Sequence, residues 1–558
     1  MGIGMTKINK SRSNGKKKTA QKDSIRIHKA EGGVCPRGSR DRGFSWIENM
    51  FVNYRGGADA IESIPGYRKI FNCGDRIHTI SLYGASTDDP ALVIHAGSSL
   101  YRIPLSERDN KSRSKPIYNL EDKEGFSIGI GNICLISDGE RLIMLKGDSE
   151  PIVISEDKTI TACRCAAIYR GRLMLSGNPE RAGEIFAIDI ADIASENAAI
   201  AVINEGVGVV NVVSMLSHGG YLWIFKSEND GEGSIVCRKY DDGDYPILLT
   251  LPTPRPISNA IVFNGEPTIM TEEGVYAVTQ PINDLAVAVE ISSDLSELPL
   301  NPDGSPACLC IWCGYLALLT GGNIYLADSR AGNKYDWYPI IGVGGFKGDR
   351  RVYRYLAECD SGFDLHPCPN SEAKGEIYSV GDKGGRLIYY SVENGKSYAV
   401  YPTSEYICGE HIPAHILLCD GKYMWLCAGG GVYLFNNDRP DMYEAEAIDY
   451  YSFAGHRPTY VAITHPDSPP DMSGEKFSPG GSVELRTKEL GFKAPNVVIT
   501  DDGRSRALRP MSDRRVNKGD ILGIRVYDQS SLWRVRQICL KSNEPFALIS
   551  ISYRYRSR

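Results

Sequence analysis

The feature that most constrains the fold of this chain is a short theme that recurs along most of its length. The theme is a Gly-bearing turn, a strand-length apolar run, a polar turn and a second apolar run. It is clearest between residues 170 and 240, where runs at 172–175, 184–190 and 221–226 each follow a turn or loop that contains Gly. The runs mix β-branched, aromatic and aliphatic residues, as β-strands do. The pattern therefore predicts a repeat architecture and not a fold built around one site.

The spacing of the theme predicts an all-β fold, a β-propeller of about six or seven blades with roughly four strands each. One small sheet cannot bury both of its faces, whereas a ring of sheets covers every inner face and leaves only short edges. Only residues 188–200 have a pattern that a helix of any length could use. The turns that mark the repeats include Asp138-Gly139, Arg170-Gly171, Gly219-Gly220, Asn264-Gly265, Cys313-Gly314, Gly384-Gly385 and Asp420-Gly421.

Composition shifts divide the chain into four predicted segments. Residues 1–30 form a flexible basic arm, residues 31–464 the propeller, residues 465–481 a Pro/Gly-rich linker, and residues 482–558 a C-terminal β module. Strand-like runs near the C-terminus alternate apolar and polar residues, as in a half-exposed antiparallel sheet. We expect this part to be either a β-sandwich-like module or the sheet that closes the ring.

The basic arm is the one segment with a strong charge bias. It carries nine Lys and Arg residues against a single acid, Asp23. Such a segment can contact nucleic acid, dock on an acidic neighbouring subunit, or remain a solvated tail. The candidate contact residues are Lys7, Lys10, Arg12, Lys16, Lys17 and Lys18.

Cysteine usage and hydropathy indicate the environment of the chain. The 558 residues include 15 Cys, many of them inside apolar strand-like runs, which favours buried free thiols in a reducing cytosol over disulfides. We expect no membrane span and no secretory signal, because the apolar runs are short. The net charge of −6 points to no particular partner.

Three constellations echo metal sites, and each has a structural explanation. His411 and His415 lie four apart beside Glu410, but Pro413 would break the helix that a zinc-protease motif needs. Cys308 and Cys310, with Cys313, lack a second paired half and lie on an apolar alternating run, which favours core cysteines. The acidic stretches at 229–233 and 240–244 have too few regularly spaced oxygens for Ca²⁺ and indicate hairpin turns. We predict no catalytic, metal or cofactor-binding residues.

Several short motifs, taken in order, resemble bacteriophage tail proteins of the packaged-DNA stabilisation and tail-nozzle type. Asn49-Met50 followed by Ile64-Pro65-Gly66-Tyr67 is similar to their opening segment. The stretch Arg170-Gly171-Arg172-Leu173, with Ser176-Gly177-Asn178 and Ile185–Ile188, is similar to a recurring segment that ends in a strand such as Leu222–Phe225. Near the C-terminus the similar motifs are Leu485–Lys488, Arg509–Asp513, Trp533–Arg536 and Ile549–Tyr553.

The resemblance implies a non-enzymatic structural protein of the virion, made in the host cytoplasm. It implies several copies, a hexamer in this family, below the portal and adaptor, where the ring retains packaged DNA and forms part of the ejection channel. No catalytic residue and no cofactor is implied, and the basic arm has no counterpart in the family pattern.

Two other classes of function stay open. A propeller glycoside hydrolase or lyase would gather carboxylates with perturbed pKa values at one cavity. A propeller adaptor for host protein or surface glycan would show an aromatic patch on one loop face. A tail component predicts instead an exposed apolar rim. The six Trp residues could stack on sugars, but most lie in strand-like runs where core packing is expected.

Overall fold

A computed structural model describes the chain in segments. The described residues are 21–26, 44–52, 61–63, 67–84, 90–107, 115–147, 149–195, 198–206, 210–228, 231–279, 286–293, 298, 300, 306–321, 323–329, 335–340, 344–346, 353–358, 365–367, 376–380, 388–393, 396–402, 411–419, 424–435, 460–464, 477–489, 496–501, 504–508, 521–527, 536–542 and 546–557.

Within these residues, six four-stranded antiparallel sheets follow one another, each built from four consecutive strands. We number them as blades 1 to 6 and call the last strand of each its outer strand. The strands are Ile77–Tyr83, Ala91–Ala96, Ser99–Pro104 and Tyr118–Asn119 in blade 1; Ser127–Ile130, Ile133–Ser137, Leu142–Lys146 and Ile152–Ser155 in blade 2; Cys165–Tyr169, Arg172–Ser176, Glu184–Asp189 and Ile200–Asn204 in blade 3; Asn211–His218, Tyr221–Ser227, Glu232–Arg238 and Ile247–Pro254 in blade 4; Ile261–Phe263, Glu266–Met270, Val275–Thr279 and Val287–Glu290 in blade 5; and Cys308–Trp312, Tyr315–Thr320, Asn323–Ser329 and Tyr335–Ile340 in blade 6.

Blade 7 joins two distant parts of the chain. Three of its strands are His411–Cys419, Met424–Ala428 and Gly431–Phe435, and Gly344–Phe346 pairs with the first of them. Its outer strand is Tyr67–Asn72, which precedes blade 1 and pairs antiparallel with Gly431–Phe435. The N-terminal side of the propeller thus locks its C-terminal side by backbone hydrogen bonds.

The first strands of neighbouring blades line the centre and contact one another around the ring. Two polar contacts bridge blades there. The backbone N–H of Ala260 donates to Ser214 Oγ at 2.8 Å between blades 5 and 4, and His415 Nε2 donates to the carbonyl of Ile77 at 2.8 Å between blades 7 and 1. The described strands therefore form a closed propeller of seven blades, which confirms the predicted fold class.

The core lies between the blades. Six described apolar clusters each combine side chains from two adjacent sheets, as in the cluster of Leu173 and Phe186 of blade 3 with Leu135 and Leu142 of blade 2. Burial on both faces explains why these strands read as nearly continuous apolar runs. Trp223, Trp312, Trp337 and Trp425 are all fully buried, as expected for core packing, whereas the side chains of Trp46 and Trp533 lie outside the described residues.

Five of the seven Gly-bearing dipeptides lie between the first and second strands of a blade, whereas Asp138-Gly139 lies between the second and third strands of blade 2 and Gly384-Gly385 lies in the inserted stretch. In Arg170-Gly171, Asn264-Gly265 and Cys313-Gly314 both residues have positive φ, from 50° to 88°. This geometry matches two-residue hairpins whose twist suits the flanking strands. The repeated sequence signal therefore has a direct backbone cause.

Helical structure is nearly absent from the described residues. The one α-helix is Lys158–Thr161, whose first N–H groups are capped by Asp157, and Leu105–Glu107 is a 3₁₀ turn. Residues 188–200 end one strand, pass through turns and begin the next strand, where the described part has no helix. No helix in the described chain is long and apolar enough to cross a bilayer.

A separate five-stranded sheet lies in sequence between blades 6 and 7. Its strands are Tyr353–Glu358, Leu365–Pro367, Glu376–Val380, Ile388–Glu393 and Lys396–Pro402. The repeat-like turn at Gly384-Gly385 lies within this stretch. The first strands of blades 6 and 7 contact each other without it, so this sheet is an insertion and not an eighth blade of the closed ring.

The C-terminal module is built from both ends of the chain. One sheet contains Gln21–Arg26, Met50–Val52, Ile61–Ser63, Phe546–Ser557, Phe477–Glu489 and Ile521–Tyr527, and the other contains Phe44–Glu48, Tyr460–Thr464, Arg536–Ser542, Asn496–Asp501 and Arg504–Leu508.

These pairings differ from the segment boundaries predicted from the sequence. Residues 21–26, placed in the flexible arm of residues 1–30, pair with the terminal strand Phe546–Ser557, and Phe44–Glu48, placed in the propeller of residues 31–464, pairs with Tyr460–Thr464. The strand Phe477–Glu489 begins inside the predicted linker of residues 465–481. The physical reason is that the backbone N–H and C=O groups of the C-terminal strands require hydrogen-bond partners, and strands near the N-terminus supply them.

The module docks on blade 6 through Phe51. The ring of Phe51 is 2% exposed and lies 5.7 Å from Trp312 and 5.8 Å from Tyr315, centroid to centroid. The backbone N–H of Asn49 donates to the carbonyl of Pro339 at 3.0 Å, which satisfies a group on the outer strand of blade 6. The module therefore covers the edge of this blade with apolar and backbone contacts.

Candidate functional site: the outer edges of the blades

The predicted arm contacts cannot be placed on the fold. Lys7, Lys10, Arg12, Lys16, Lys17 and Lys18 lie outside the described residues, which begin at Gln21. Their charge is a fact of the sequence, and their role remains a prediction.

The centre of the ring is lined by the first strands of the seven blades. Within the residues that the structure describes, these seven strands contain no Asp, Glu, Lys or Arg. A glycosidase site at the channel mouth would need two carboxylates on facing elements. Glu266, at a first-to-second-strand turn of blade 5, is the one described carboxylate whose pKa is raised, and burial is the cause. The centre of the described ring thus presents hydroxyl, imidazole and apolar side chains.

The two histidines whose spacing resembles a zinc-protease motif lie on a strand. His411 and His415 belong to His411–Cys419, and Pro413 pairs with Gly344 in an added strand. His415 donates its ring N–H to blade 1 and so helps to close the ring.

The central cysteines lie in the packed interior. Cys308 and Cys310 occupy the first strand of blade 6, and the Cys308 thiol donates to the carbonyl of His415 at 3.4 Å. Burial raises the pKa of Cys308 to about 11. Cys134 and Cys427 are also buried free thiols. No three His, Cys, Asp or Glu side chains of the described residues are grouped as a metal site would require.

The acidic stretch at 240–244 forms a turn on the outer side of blade 4. Asp241 and Asp244 exchange two backbone hydrogen bonds of 2.9 Å, and Asp242 and Gly243 have positive φ. The three carboxylates are exposed and lead directly into the outer strand that starts at Ile247. They form an acidic rim on this blade.

A tyrosine cluster lies between blades 3 and 4. The Arg172 guanidinium lies 4.4 Å from the Tyr240 ring centroid and donates to the hydroxyl groups of Tyr240 at 3.1 Å and Tyr245 at 2.7 Å. Tyr169 and Tyr245 are buried, and Tyr240 N–H donates to the Tyr169 hydroxyl. The three tyrosines therefore connect blades 3 and 4 through hydrogen bonds and ring contacts, and little of their aromatic surface is free to bind a sugar.

A buried ion pair crosses the same blade boundary. Arg238 Nε donates to Glu205 Oε1 at 2.5 Å, and a second guanidinium nitrogen donates to the carbonyl of Tyr245. Lys226 Nζ donates to the carbonyl of Glu205 at 3.0 Å. Because both charged side chains are nearly removed from water, this pair stabilises the boundary only as an intact unit.

Buried titratable groups also fix the boundary between blades 1 and 2. Burial alone would raise the pKa of Asp138, but hydrogen bonds from the backbone N–H groups of Glu121 and Arg141 and from the Arg141 guanidinium lower it. His95 donates from Nε2 toward the carbonyls of Gly97 and Glu121, each at 3.0 Å. Burial, and next the neighbouring His78, lower the pKa of His95.

Exposed apolar side chains mark the outer strands. Of the described residues, eight large apolar side chains are at least 40% exposed, and seven of them lie on or directly before the outer strand of one of blades 1 to 5. Single exposed apolar residues are common on proteins, but a recurrent position on successive blades is a pattern. We call these seven residues the apolar rim: Ile117, Ile152, Val202, Ile247, Leu248, Val287 and Val289.

The rim is most continuous on blades 4 and 5. Their outer strands, Ile247–Pro254 and Val287–Glu290, contact each other, and four rim residues lie there. The rim could not be found from sequence, because an apolar run or alternation predicts a strand but not which face water reaches. The outer strand of blade 6 has no such exposed residue among those described: Tyr335 and Trp337 pack in the cluster between blades 5 and 6, and the strand also contacts the module.

Comparisons with known proteins identify no family for this chain. No family model matches the sequence, and no curated protein matches it. Among solved structures, the chain is similar to the N-terminal domain of Nup159, with a TM-score of 0.32 and 10% identity over 73% of this chain and 98% of that one. The WD40 domain of SCAP from fission yeast has a TM-score of 0.35 and 10% identity over 66% of this chain and 94% of that one. A quinoprotein alcohol dehydrogenase-like protein from Bacteroides thetaiotaomicron has a TM-score of 0.33 and 11% identity over 46% of this chain and 65% of that one.

The strand pairings of the described residues define an all-β protein with a β-propeller. Function does not follow from this fold, since propellers serve many unrelated roles.

Proposed function

We propose that the protein is a structural component of a bacteriophage tail, of the nozzle or head–tail connector type, that retains packaged DNA and forms part of the ejection channel. The observation that carries the proposal is the apolar rim on the outer strands of blades 1 to 5. An assembly component needs surface that is apolar and exposed in the isolated chain, because its neighbours will cover it.

The closed ring supports the same proposal. Blade 7 takes its outer strand from the residues before blade 1, and the module takes strands from both chain ends. Force applied to the particle during DNA packaging would therefore act on sheets whose ends are tied by backbone hydrogen bonds. The order of motifs that resembles tail proteins spans the same elements.

The rivals have less support in the described residues. A hydrolase or lyase needs convergent carboxylates, and the first strands at the centre carry none. A glycan adaptor needs a free aromatic patch, and the tyrosine cluster of blades 3 and 4 holds two of its three rings buried.

The test is co-assembly. The purified chain is mixed with a portal and adaptor complex encoded by neighbouring genes, and the products are separated by sedimentation and imaged. The proposal expects a stable complex that slows DNA release from filled particles. Binding neither to the connector nor to filled particles, together with cleavage of a polysaccharide in a carbohydrate screen, would overturn it in favour of an enzyme.

The basic arm gives a second readout of the same function. Deleting residues 1–20 removes six Lys and Arg residues and no acid, and leaves the strand Gln21–Arg26 in its sheet. We expect weaker assembly or faster DNA loss, measured on the same particles. Normal assembly and normal DNA retention by the truncated chain would show that the arm serves neither.

A further inference from the structure

The charges of this chain are divided between its two parts. Residues 1–63 contain 13 Lys and Arg against six Asp and Glu, and residues 460–558 contain 17 against 11, so that these two stretches carry a net charge of +13. Residues 64–459 contain 33 against 52, a net charge of −19. The near-neutral total therefore hides two basic stretches, which supply the described strands of the module, and an acidic stretch that supplies the blades and the inserted sheet.

The acid is concentrated where the apolar rim is most continuous. Residues 211–290, which span blades 4 and 5, contain four Lys and Arg against 11 Asp and Glu. Three of the four bases are engaged, since Arg238 and Lys226 contact Glu205 and Arg255 lies 3.6 Å from Glu272. The exposed turn with Asp241 and Asp244 leads directly to the rim residue Ile247.

We propose that the outer edge of blades 4 and 5 is an interaction surface for a second copy of this chain, which places its basic module there. The surface consists of the rim residues Ile247, Leu248, Val287 and Val289 with the acidic turn at 241–244. This inference rests on the proposed function and assigns the partner and the contact face.

The contact inside one chain shows how the module meets a blade. On blade 6 it packs Phe51 against Trp312 and Tyr315, which flank the turn between the first two strands, and it donates a backbone hydrogen bond from Asn49 to the carbonyl of Pro339 on the outer strand. Blade 5 precedes blade 6 in the ring, so the edge of blades 4 and 5 continues the surface that the module already covers. An exposed strand edge also offers unpaired backbone groups to an incoming chain.

Apolar contact alone is too small for a stable interface. A specific interface buries about 800 Å² on each partner, which is more than four half-exposed side chains supply. The surrounding carboxylates must therefore take part, and they require a basic partner. The two surfaces lie on different parts of the chain, so the contact is head-to-tail, and such contacts close into rings when the rotation per copy allows it.

The first experiment measures association of the full chain by sedimentation and mass across a concentration series. Leu248→Lys/Val287→Lys puts two positive charges on the proposed face, at side chains that are 51% and 50% exposed. Ala201→Lys/Leu300→Lys is the control outside the apolar rim, at two exposed side chains of which Leu300 is 48% exposed. Lys is tolerated at exposed positions and on edge strands, so both variants should fold.

We expect the face variant to raise the dissociation constant by more than about tenfold, because it removes apolar contact and opposes a basic surface. The control should change it by less than about twofold, and raising the salt from about 0.1 M to about 1 M should weaken wild-type association as the screening length shortens from about 10 to about 3 Å. Equal effects of the two variants would overturn the assignment, as would a wild-type chain that stays monomeric at low salt and high concentration.

Cross-linking identifies the partner surface. A carbodiimide joins Lys amines to carboxylates in direct contact, and a mixture of isotopically labelled and unlabelled chains distinguishes links between copies. We expect links between copies from residues 1–63 or 460–558 to Asp241, Asp242 or Asp244. If associated wild-type chains give no such cross-links, the basic module of a second copy is not what binds this surface. If added duplex DNA binds the basic module and dissociates the chains, nucleic acid is the preferred ligand of the module and the inference fails.

The outcome is separable from the proposed function. A face variant that still joins the connector complex and assembles normally would refute this interface and leave the tail function standing. Rings that depend on Leu248 and Val287 but never join a connector would support this interface and refute the tail function.

Discussion

Removal of the Phe51 ring should separate the two-sheet module from the propeller. Phe51 is almost fully buried, with ring neighbours Trp312 and Tyr315 below 6 Å. Phe→Ala at a buried site costs about 3–5 kcal/mol, a range that contains the transfer and cavity contributions, and each ring pair contributes about 0.5–1.5 kcal/mol. We take about 4 kcal/mol as the stabilisation that Phe51→Ala removes from the contact between the two parts.

The assay is calorimetry and urea unfolding of the full chain, with limited proteolysis of the strands at residues 44–63 and 460–557. With a urea m-value of about 2 kcal/mol per M for a unit of this size, the module should unfold about 2 M earlier than in the wild type. The propeller transition should stay near its original position, so that two transitions replace one.

The matched control is Phe186→Ala. Phe186 is fully buried between blades 2 and 3 and touches no residue of the module. It should lower the propeller transition and leave the module docked. If Phe51→Ala instead keeps one transition and costs less than about 1 kcal/mol, the module is not held on blade 6 by this ring and the reasoning fails.

Three further predictions concern buried groups. Glu205→Ala should destabilise the boundary of blades 3 and 4 by about 3–5 kcal/mol, because it leaves Arg238 buried without its partner. Replacing both residues with apolar ones should recover much of this loss, as measured by a double-mutant cycle of urea midpoints. Losses that simply add in the double mutant would contradict this prediction. Because the pKa of His95 is lowered in the folded chain, its contribution to stability is complete above the unfolded pKa of about 6.5 and is lost as pH falls through the folded pKa. Urea midpoints should thus drop more between about pH 7.5 and pH 5 in the wild type than in His95→Gln, and parallel curves would refute the assignment. Burial raises the pKa of Cys134 to about 12, so alkylation at pH 8 should be very slow in the folded chain and fast in urea, as read by mass spectrometry; equal rates would show that the thiol is open to water.

The propeller could be predicted because its signal is local and repeated. A turn dipeptide with Gly recurs in most blades, and Arg170-Gly171 and Asn264-Gly265 adopt the positive φ values that such turns require. Apolar runs on both sides follow from burial between two neighbouring sheets. These signals need no knowledge of distant sequence.

Closure and module composition could not be predicted, because their signals are not local. Tyr67–Asn72 pairs with Gly431–Phe435, and Gln21–Arg26 pairs with the last strand of the chain. No spacing rule joins segments that lie hundreds of residues apart. The inserted sheet at 353–402 repeats the turn-and-strand pattern and so resembles a blade in sequence.

The sequence predicted that an exposed apolar surface exists but not which residues form it. A tail component was expected to have an exposed apolar rim, but the run beginning at Ile247 reads like any other strand. This run is exposed because it is the last strand of its sheet and has no further strand beside it, which is a property of the assembled ring. The division of charge along the chain, in contrast, is present in the sequence. It becomes informative only once the pairings assign the described strands between residues 21 and 63 to the module.

We propose that the blade edges of this propeller are assembly surfaces of a tail structure. Cryo-EM of the full chain, alone and with its connector complex, is the decisive experiment for this proposal. We expect closed rings of copies in which the outer strands of blades 4 and 5 lie under a neighbouring module. Isolated seven-bladed particles with those strands in water, in both samples, would contradict it.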